Sequence, residues 1–208
     1  MRTHLKVALM SRLSILPVAA LIIMGCAPNQ PHKSWQRTAA EKAYAELDGA
    51  KDDARRGAIR DYIKALLSLE KGGDPDRQFA HGRTLLMMAV IRRDAEIVQR
   101  SVSLDVYADV DRGDDDGNTP LIVACKSANA DIARMLLRAG AKVNVQNKDG
   151  MSALMACAQN GDKMTAGALL ISGADPYQKD AEGYRVGDYA TRGNHGDVTS
   201  FIINFQTK

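Results

Sequence analysis

Apolar residues recur along this chain at three- and four-residue intervals, in short runs broken by stretches rich in Gly, Asp and Asn. That is the pattern of short amphipathic helices joined by turns. The most regular stretch, residues 116–144, reads DGNTPLIVACKSANADIARMLLRAGAKVN, and its landmarks return downstream. Gly117, Gly150 and Gly183 are 33 residues apart, as are Gly140 and Gly173, and Leu121 and Leu154. A fixed period of this size marks a repeat array, in which each unit buries its apolar face only against its neighbours. Such an array has no single active site to search for.

Upstream the pattern continues less regularly. Ala39, Ala43, Leu47 and Ala50 form one apolar stripe, and Ile59, Ile63, Leu66 and Leu67 a second, ended by a Gly pair. Two short antiparallel helices are expected there, as an atypical end unit with one side facing water. Gly72 leads to Gly82 as Gly140 leads to Gly150 and Gly173 to Gly183, which predicts one loop geometry used three times. Gly82 and Gly117 are 35 residues apart, so two extra residues fall in or after the second helix of that unit. Thr84, Thr119 and Ser152 stand where helices begin and are expected to cap them, with Pro120 at a first helical position. Arg185 holds that place in the last unit, which loses the cap. Ala89, Ala124, Cys125, Cys157, Ala158 and Ala190 are small where neighbouring first helices stack; Leu136, Leu137, Leu169 and Leu170 fill the layer between first and second helices.

These residues carry a resemblance. GNTPLIVACKSANADIARMLLRAGAKVN resembles the ankyrin repeat, G-x-T-P-L-H-x-A-A running through two helices to L-L-x-x-G-A-D-V-N. The likeness extends over about residues 40–205 and implies an all-α solenoid of about five helix-turn-helix units with β-hairpin-like loops. The units are read at about 38–73, 74–107, 108–140, 141–173 and 174–208. The histidine of the family pattern is replaced by Met87, Ile122, Met155 and Asp188, and Gly187 replaces a helix leucine in the last unit. His195, in ATRGNHGD, matches the histidine of the family's inter-helix turn and is expected to be structural.

The first 25 residues are different in kind. A basic segment, MRTHLKVALMSR, precedes the apolar run LSILPVAALIIM and then Gly25-Cys26. That run is about half the roughly 20 residues a membrane-spanning helix needs and fits a cleaved signal segment. Ile23-Met24-Gly25-Cys26 resembles the lipobox of bacterial lipoproteins, which implies cleavage after Gly25 and acylation of Cys26. Ala27 after the cysteine leans towards the outer membrane under that resemblance. Residues 26–37, with two prolines, read as a flexible tether, and residues 38–208 as the repeat domain.

Charge narrows the partners. Removing Arg2, Lys6 and Arg12 with the leader leaves 28 − 3 = 25 basic against 25 acidic residues, so the remainder is formally neutral and nucleic-acid binding loses its electrostatic support. Three scattered cysteines make no disulfide framework. Cys125 and Cys157, on stacked helices 8–10 Å apart, are read as buried unpaired thiols that pack like alanine, against an alternative bridging or redox role. No histidine spacing suggests a metal, no nucleophile motif suggests a hydrolase, and the acidic run at Asp114, Asp115 and Asp116 lacks the ligand series of a calcium loop. No cofactor is expected, and the array is taken to be monomeric.

The resemblance implies a concave face made by hairpin tips and first helices. Its variable positions map onto Ala80, His81, Arg83, Ile91 and Arg92, then Asp115, Asp116, Asn118, Lys126 and Ser127. The next unit contributes Lys148, Asp149, Met151, Gln159 and Asn160, and the last Glu182, Tyr184 and Arg192. The expected function is a periplasmic, membrane-tethered, non-catalytic module that binds a protein partner, as inhibitor of a periplasmic enzyme or secreted toxin (immunity-type) or as a scaffold. The alternatives are a thiol enzyme or redox protein using Cys125 or Cys157, and a purely structural envelope lipoprotein.

Overall fold

The computed structural model describes residues 34–50, 52–70, 72–103 and 108–206. The leader, Cys26 and all but the end of the tether lie outside the described residues. Among the described residues no helix is long and apolar enough to cross a membrane. The chain divides after Glu70 into two compact units.

The first unit is a helical hairpin of α1 (Ser34–Gly49) and α2 (Asp53–Glu70). Its helix already covers residues 34–37, which the two prolines nearby made look like tether. Gln36, Ala40, Ala43 and Ala50 are buried in α1 and the residue after it, whereas Ala39 and Leu47 are only half-buried. The buried stripe therefore starts from Gln36 and Ala40 rather than Ala39. On α2, Ile59, Ile63 and Leu66 are buried as their spacing predicts, joined by Tyr62 and Ala65.

The second unit carries four helix pairs: α3 (Leu85–Arg92) with α4 (Ala95–Ser101), α5 (Pro120–Lys126) with α6 (Ala130–Arg138), α7 (Ala153–Gln159) with α8 (Lys163–Ile171), and α9 (Val186–Arg192) with α10 (Gly196–Gln206). First helices pack in the series α3, α5, α7, α9, and second helices in the series α4, α6, α8, α10. Helices of seven to nine residues are too short to persist alone in water, so the stacking holds them. Thr84, Thr119 and Ser152 accept from the N–H groups of Met87, Ile122 and Met155 at 3.3, 3.3 and 3.4 Å, as the sequence predicts. Arg185 supplies no such cap; instead the Asp188 carboxylate takes the Arg185 N–H at 2.7 Å.

The two extra residues can be located. The N–H of Ala141 and of Ala174 bonds to a carbonyl five positions back, at Leu136 and Leu169, but that of Ala108 reaches back seven, to Ser101. The insertion sits between Ser101 and Ala108, and the next unit resumes in register.

The small stacking residues are in place: Ala89, Ala124, Cys157, Ala158 and Ala190 are 0% exposed and Cys125 is 1% exposed. The expectation of two unpaired thiols is corrected, because Cys125 and Cys157 are joined by a disulfide with their Cα atoms 4.8 Å apart. An inter-axis distance of about 8–10 Å does not itself bar the bond, because the limit of about 7 Å applies to the Cα atoms. Cα atoms stand about 2.3 Å off each axis, so helices about 9 Å apart bring facing Cα atoms to within about 5 Å when small residues line the contact. That Cα separation is one a disulfide spans.

Candidate partner-binding face

Three hairpin tips are each built by one Asp or Asn, where the tip at His81 has Phe79 in that place. Asp114 Oδ1 accepts from the N–H groups of Asp116 (3.1 Å) and Asn118 (2.8 Å); Asn147 Oδ1 accepts from Asp149 (3.1 Å) and Met151 (2.8 Å); Asp180 Oδ1 accepts from Glu182 (3.0 Å) and Tyr184 (2.8 Å). Short polar side chains that bond to backbone two and four residues on are natural turn builders. Gly150 completes its tip at φ +76°, and a Cβ there would lie 2.5 Å from the Ala181 nitrogen. No other residue type fits.

Successive tips are then tied to one another. The N–H groups of Asp115, Lys148 and Ala181 donate to the carbonyls of His81, Asp116 and Asp149 at 3.1, 3.0 and 3.0 Å. A second ladder runs along the units at the surface: Asp76, Asp111 and Asn144 accept from the N–H groups of Asp109, Lys142 and Asp175, each at 2.8 Å. These ladders bring together His81, Asp115, Asp116, Lys148, Asp149 and Glu182, all exposed, in one row of tips. Alongside it, Ile91, Lys126, Gln159 and Arg192 occupy one register position on α3, α5, α7 and α9, each exposed on its helix. Arg83, Arg92, Met151 and Tyr184 are half-buried between tips and helices.

Within this face two basic side chains are already positioned. Lys126 Nζ donates to Asn118 Oδ1 at 2.8 Å, and the same oxygen accepts from Asn147 Nδ2 at 2.9 Å. Asn118, 8% exposed, therefore serves as a bracket between neighbouring tips and presents Lys126. Eight residues apart in the last unit, the Arg192 guanidinium lies 3.7 Å over the Tyr184 ring, a cation–π contact. The face thus carries carboxylates along its rim, at Asp115, Asp116, Asp149 and Glu182, and cations at the helix ends behind them.

Asp114 and Asp180 lie in the same acidic tips but turn inward. Tyr189 donates its hydroxyl to Asp180 Oδ2 at 2.6 Å. Burial pushes the Asp180 carboxyl up, yet the hydrogen bonds from Tyr189 and from the N–H groups of Tyr184, Glu182 and Gly183 outweigh it and hold the group below the usual carboxylate range. Burial first, and Asp180 second, push the Tyr189 phenol well above its ordinary value. His195 is structural as expected, because its ring closes on the turn at Gly161 of the preceding unit, where a Cβ would lie 2.5 Å from Nδ1.

Sequence reasoning missed several residues that bridge units. Arg93 donates to the Ser127 carbonyl at 2.5 Å, and Asn160 Nδ2 donates to the carbonyls of Cys125 and Lys126 at 2.8 and 3.0 Å. Asn160, placed among the contact residues by register, thus also serves the stacking. A signal existed in the Asp114, Asn147, Asp180 series at a period of 33, hidden by the Asp/Asn exchange.

A model for ankyrin repeats in three copies matches residues 53–147, and a model for a single ankyrin repeat matches residues 149–181. Among curated proteins, the chain is 31% identical over 136 residues to a putative ankyrin repeat-containing protein of Treponema pallidum (strain Nichols), covering 65% of this chain and 45% of that protein. It is 30% identical over 130 residues to the E3 ubiquitin-protein ligase KEG of Arabidopsis thaliana, covering 62% of this chain and 8% of the ligase. It is also 30% identical over 142 residues to alpha-latrotoxin-Lg1a of Latrodectus geometricus, covering 67% of this chain and 10% of the toxin. The chain therefore matches less than half the length of each of these relatives, and what is shared is the array: stacked helix pairs, hairpin tips in register and the matched repeat models place this chain in the ankyrin-repeat family.

Proposed function

We propose that this chain is a lipid-anchored protein of the bacterial envelope that binds a protein partner through its row of hairpin tips and the exposed ends of its first helices. Ankyrin repeats imply a protein partner. The observation that carries the reading is that exposed side chains converge: His81, Asp115, Asp116, Lys148, Asp149 and Glu182 on the tips, and Ile91, Lys126, Gln159 and Arg192 behind them. The acidic rim and basic floor favour a folded partner of mixed charge, and Ile91, Met151 and Tyr184 supply apolar anchors between the charges. Such a face serves an inhibitor of a periplasmic enzyme or secreted toxin, or a scaffold for an envelope enzyme. The anchor rests on the lipobox at 23–26, and the outer membrane on Ala27. The pairing of Cys125 with Cys157 leaves neither as a free thiolate, which weighs against thiol catalysis.

One experiment tests both halves. The full chain and its Cys26→Ala form are expressed in a Gram-negative host, fractionated, and used to capture partners from envelope extract, beside a triple variant Lys148→Glu, Asp149→Lys, Glu182→Lys. The native chain is expected in the membrane fraction and the Cys26→Ala form outside it. The triple variant, folded as judged by circular dichroism, is expected to lose the captured partner. A partner held equally well by the triple variant places binding elsewhere, and a Cys26→Ala form that stays with the membrane removes the anchor.

A further inference from the structure

Cys125 in α5 and Cys157 in α7 meet across the interface between two central units, 1% and 0% exposed. Packing alone does not ask for sulfur there. The other residues at the register position of Cys125 are Val90, Ala158 and Thr191, and those at the position of Cys157 are Ala89, Ala124 and Ala190. Any small side chain lets the helices approach, so the coincidence of two cysteines at one of the stacking interfaces adds a covalent link that the repeat does not require. The link also lies directly behind the binding face. Lys126 follows Cys125, Gln159 lies two residues beyond Cys157, and Asn160 donates across the same interface to the carbonyls of Cys125 and Lys126.

We propose that Cys125–Cys157 is an oxidative clamp, made as these two units come together, that holds the floor of the binding face in register and confines the fully assembled face to an oxidising compartment. Formation proceeds by thiol–disulfide exchange with a dithiol oxidase. One cysteine thiolate attacks the oxidase disulfide to give a mixed disulfide; the second thiolate then displaces the oxidase, which leaves as a dithiol. Two protons leave the cysteines and two electrons pass to the oxidase. Because both sulfurs are sealed in the finished stack, exchange with a protein oxidant precedes closure, and the closed stack then shields the bond from reductants. In a solenoid each unit is held only by its neighbours, so one clamp at an internal interface governs whether the two flanking halves of the face move as one. The bond rests on the geometry of the two cysteines, and the face it braces is that of the proposed function; the lipid anchor plays no part in it.

The test uses the full chain with its own leader. Thiols are blocked with N-ethylmaleimide before lysis, the protein is unfolded without reductant, and the peptides containing residues 125 and 157 are weighed. A linked pair is expected; two unlinked cysteines, bare or carrying maleimide, overturn the proposal. In parallel, oxidised protein, protein refolded in reductant, and the Cys125→Ala, Cys157→Ala variant are compared by melting and amide exchange. Reduction is expected to lower Tm by about 5–15 °C and to speed exchange in α5 and α7, while reductant leaves the alanine variant unchanged. Equal melting and exchange in the oxidised and reduced forms overturn the clamp. A linked pair in a protein found outside the membrane fraction sinks the anchor and leaves the clamp standing.

Discussion

Side chains that look alike in this sequence do opposite jobs, and burial separates them. Asp114 and Asp180 turn inward to shape tips, whereas Asp115, Asp116 and Glu182 point outward beside them. The Asp180–Tyr189 pair makes the difference measurable, with signs that oppose at the two ends of the pH scale. A carboxyl held low in the folded chain contributes stability above its unfolded value, about 3.9, and loses it as pH falls through the lower folded value. A phenol held high contributes below its unfolded value, about 10, and loses it as pH rises further. Tyr189→Phe is therefore expected to flatten the fall in Tm above about pH 10 and to shift the acid limb towards higher pH. Melting curves of the two proteins across the pH range check this, and parallel curves would refute the pairing. Asn118 teaches the same lesson in another form. Its register position belongs to the contact face, yet its amide is spent on Lys126 and Asn147.

At the scale of the element, hydroxyl caps decide where first helices start. Thr84, Thr119 and Ser152 each satisfy a helix N–H that would otherwise be buried without a partner, since all three are 1–2% exposed. Thr119→Ala is expected to cost about 1–2 kcal/mol in urea unfolding, because nothing else reaches the Ile122 N–H once water is excluded. Arg185→Thr is expected to work the other way, adding roughly 0.5–1 kcal/mol by giving α9 the cap its three predecessors have. If the two substitutions shift the midpoint in the same direction, capping is not what orders these helices. The second helices are capped as well, by Asp94, Asn129 and Asp162, whose carboxyl or amide oxygens accept from Ile97, Ile132 and Thr165.

On the scale of the whole molecule, stability is a sum over neighbours. Residues 186–206 form the last described helix pair of the stack, with Ala190, Val198 and Ile202 buried. A chain ending at Gly173 is expected to remain helical, to unfold at lower urea, and to show a smaller m in proportion to the surface removed, because α7 and α8 lose one neighbour each and keep the other. A shortened chain with no helical signal would instead show that the last unit is needed for the array to form. The placement of charge follows the same logic. Tips carry carboxylates because their turns favour Asp and leave the outer ones to solvent, and helix ends carry Lys126 and Arg192 where a side chain of their own unit's tip holds them.

Much of this was legible in the order of residues. The 33-residue period, the Thr and Ser caps, the Gly turns and the small stacking positions are local features: each residue type follows from a backbone conformation or a contact repeated in every unit, so the pattern names the array and the face. The two-residue insertion was legible as a spacing, and the bond between Ala108 and Ser101 located it. What the sequence could not decide depends on distances between units. Whether Cys125 and Cys157 are two thiols or one bond turns on a Cα separation of 4.8 Å, set by how closely alanine-lined helices stack. Whether Asn118 meets a partner or a neighbouring tip turns on the reach of Asn147 across an inter-unit gap. A periodic sequence specifies the unit and the direction in which units add, because those are short-range properties; only the assembled stack decides which of its side chains are spent on the neighbour and which remain for something else.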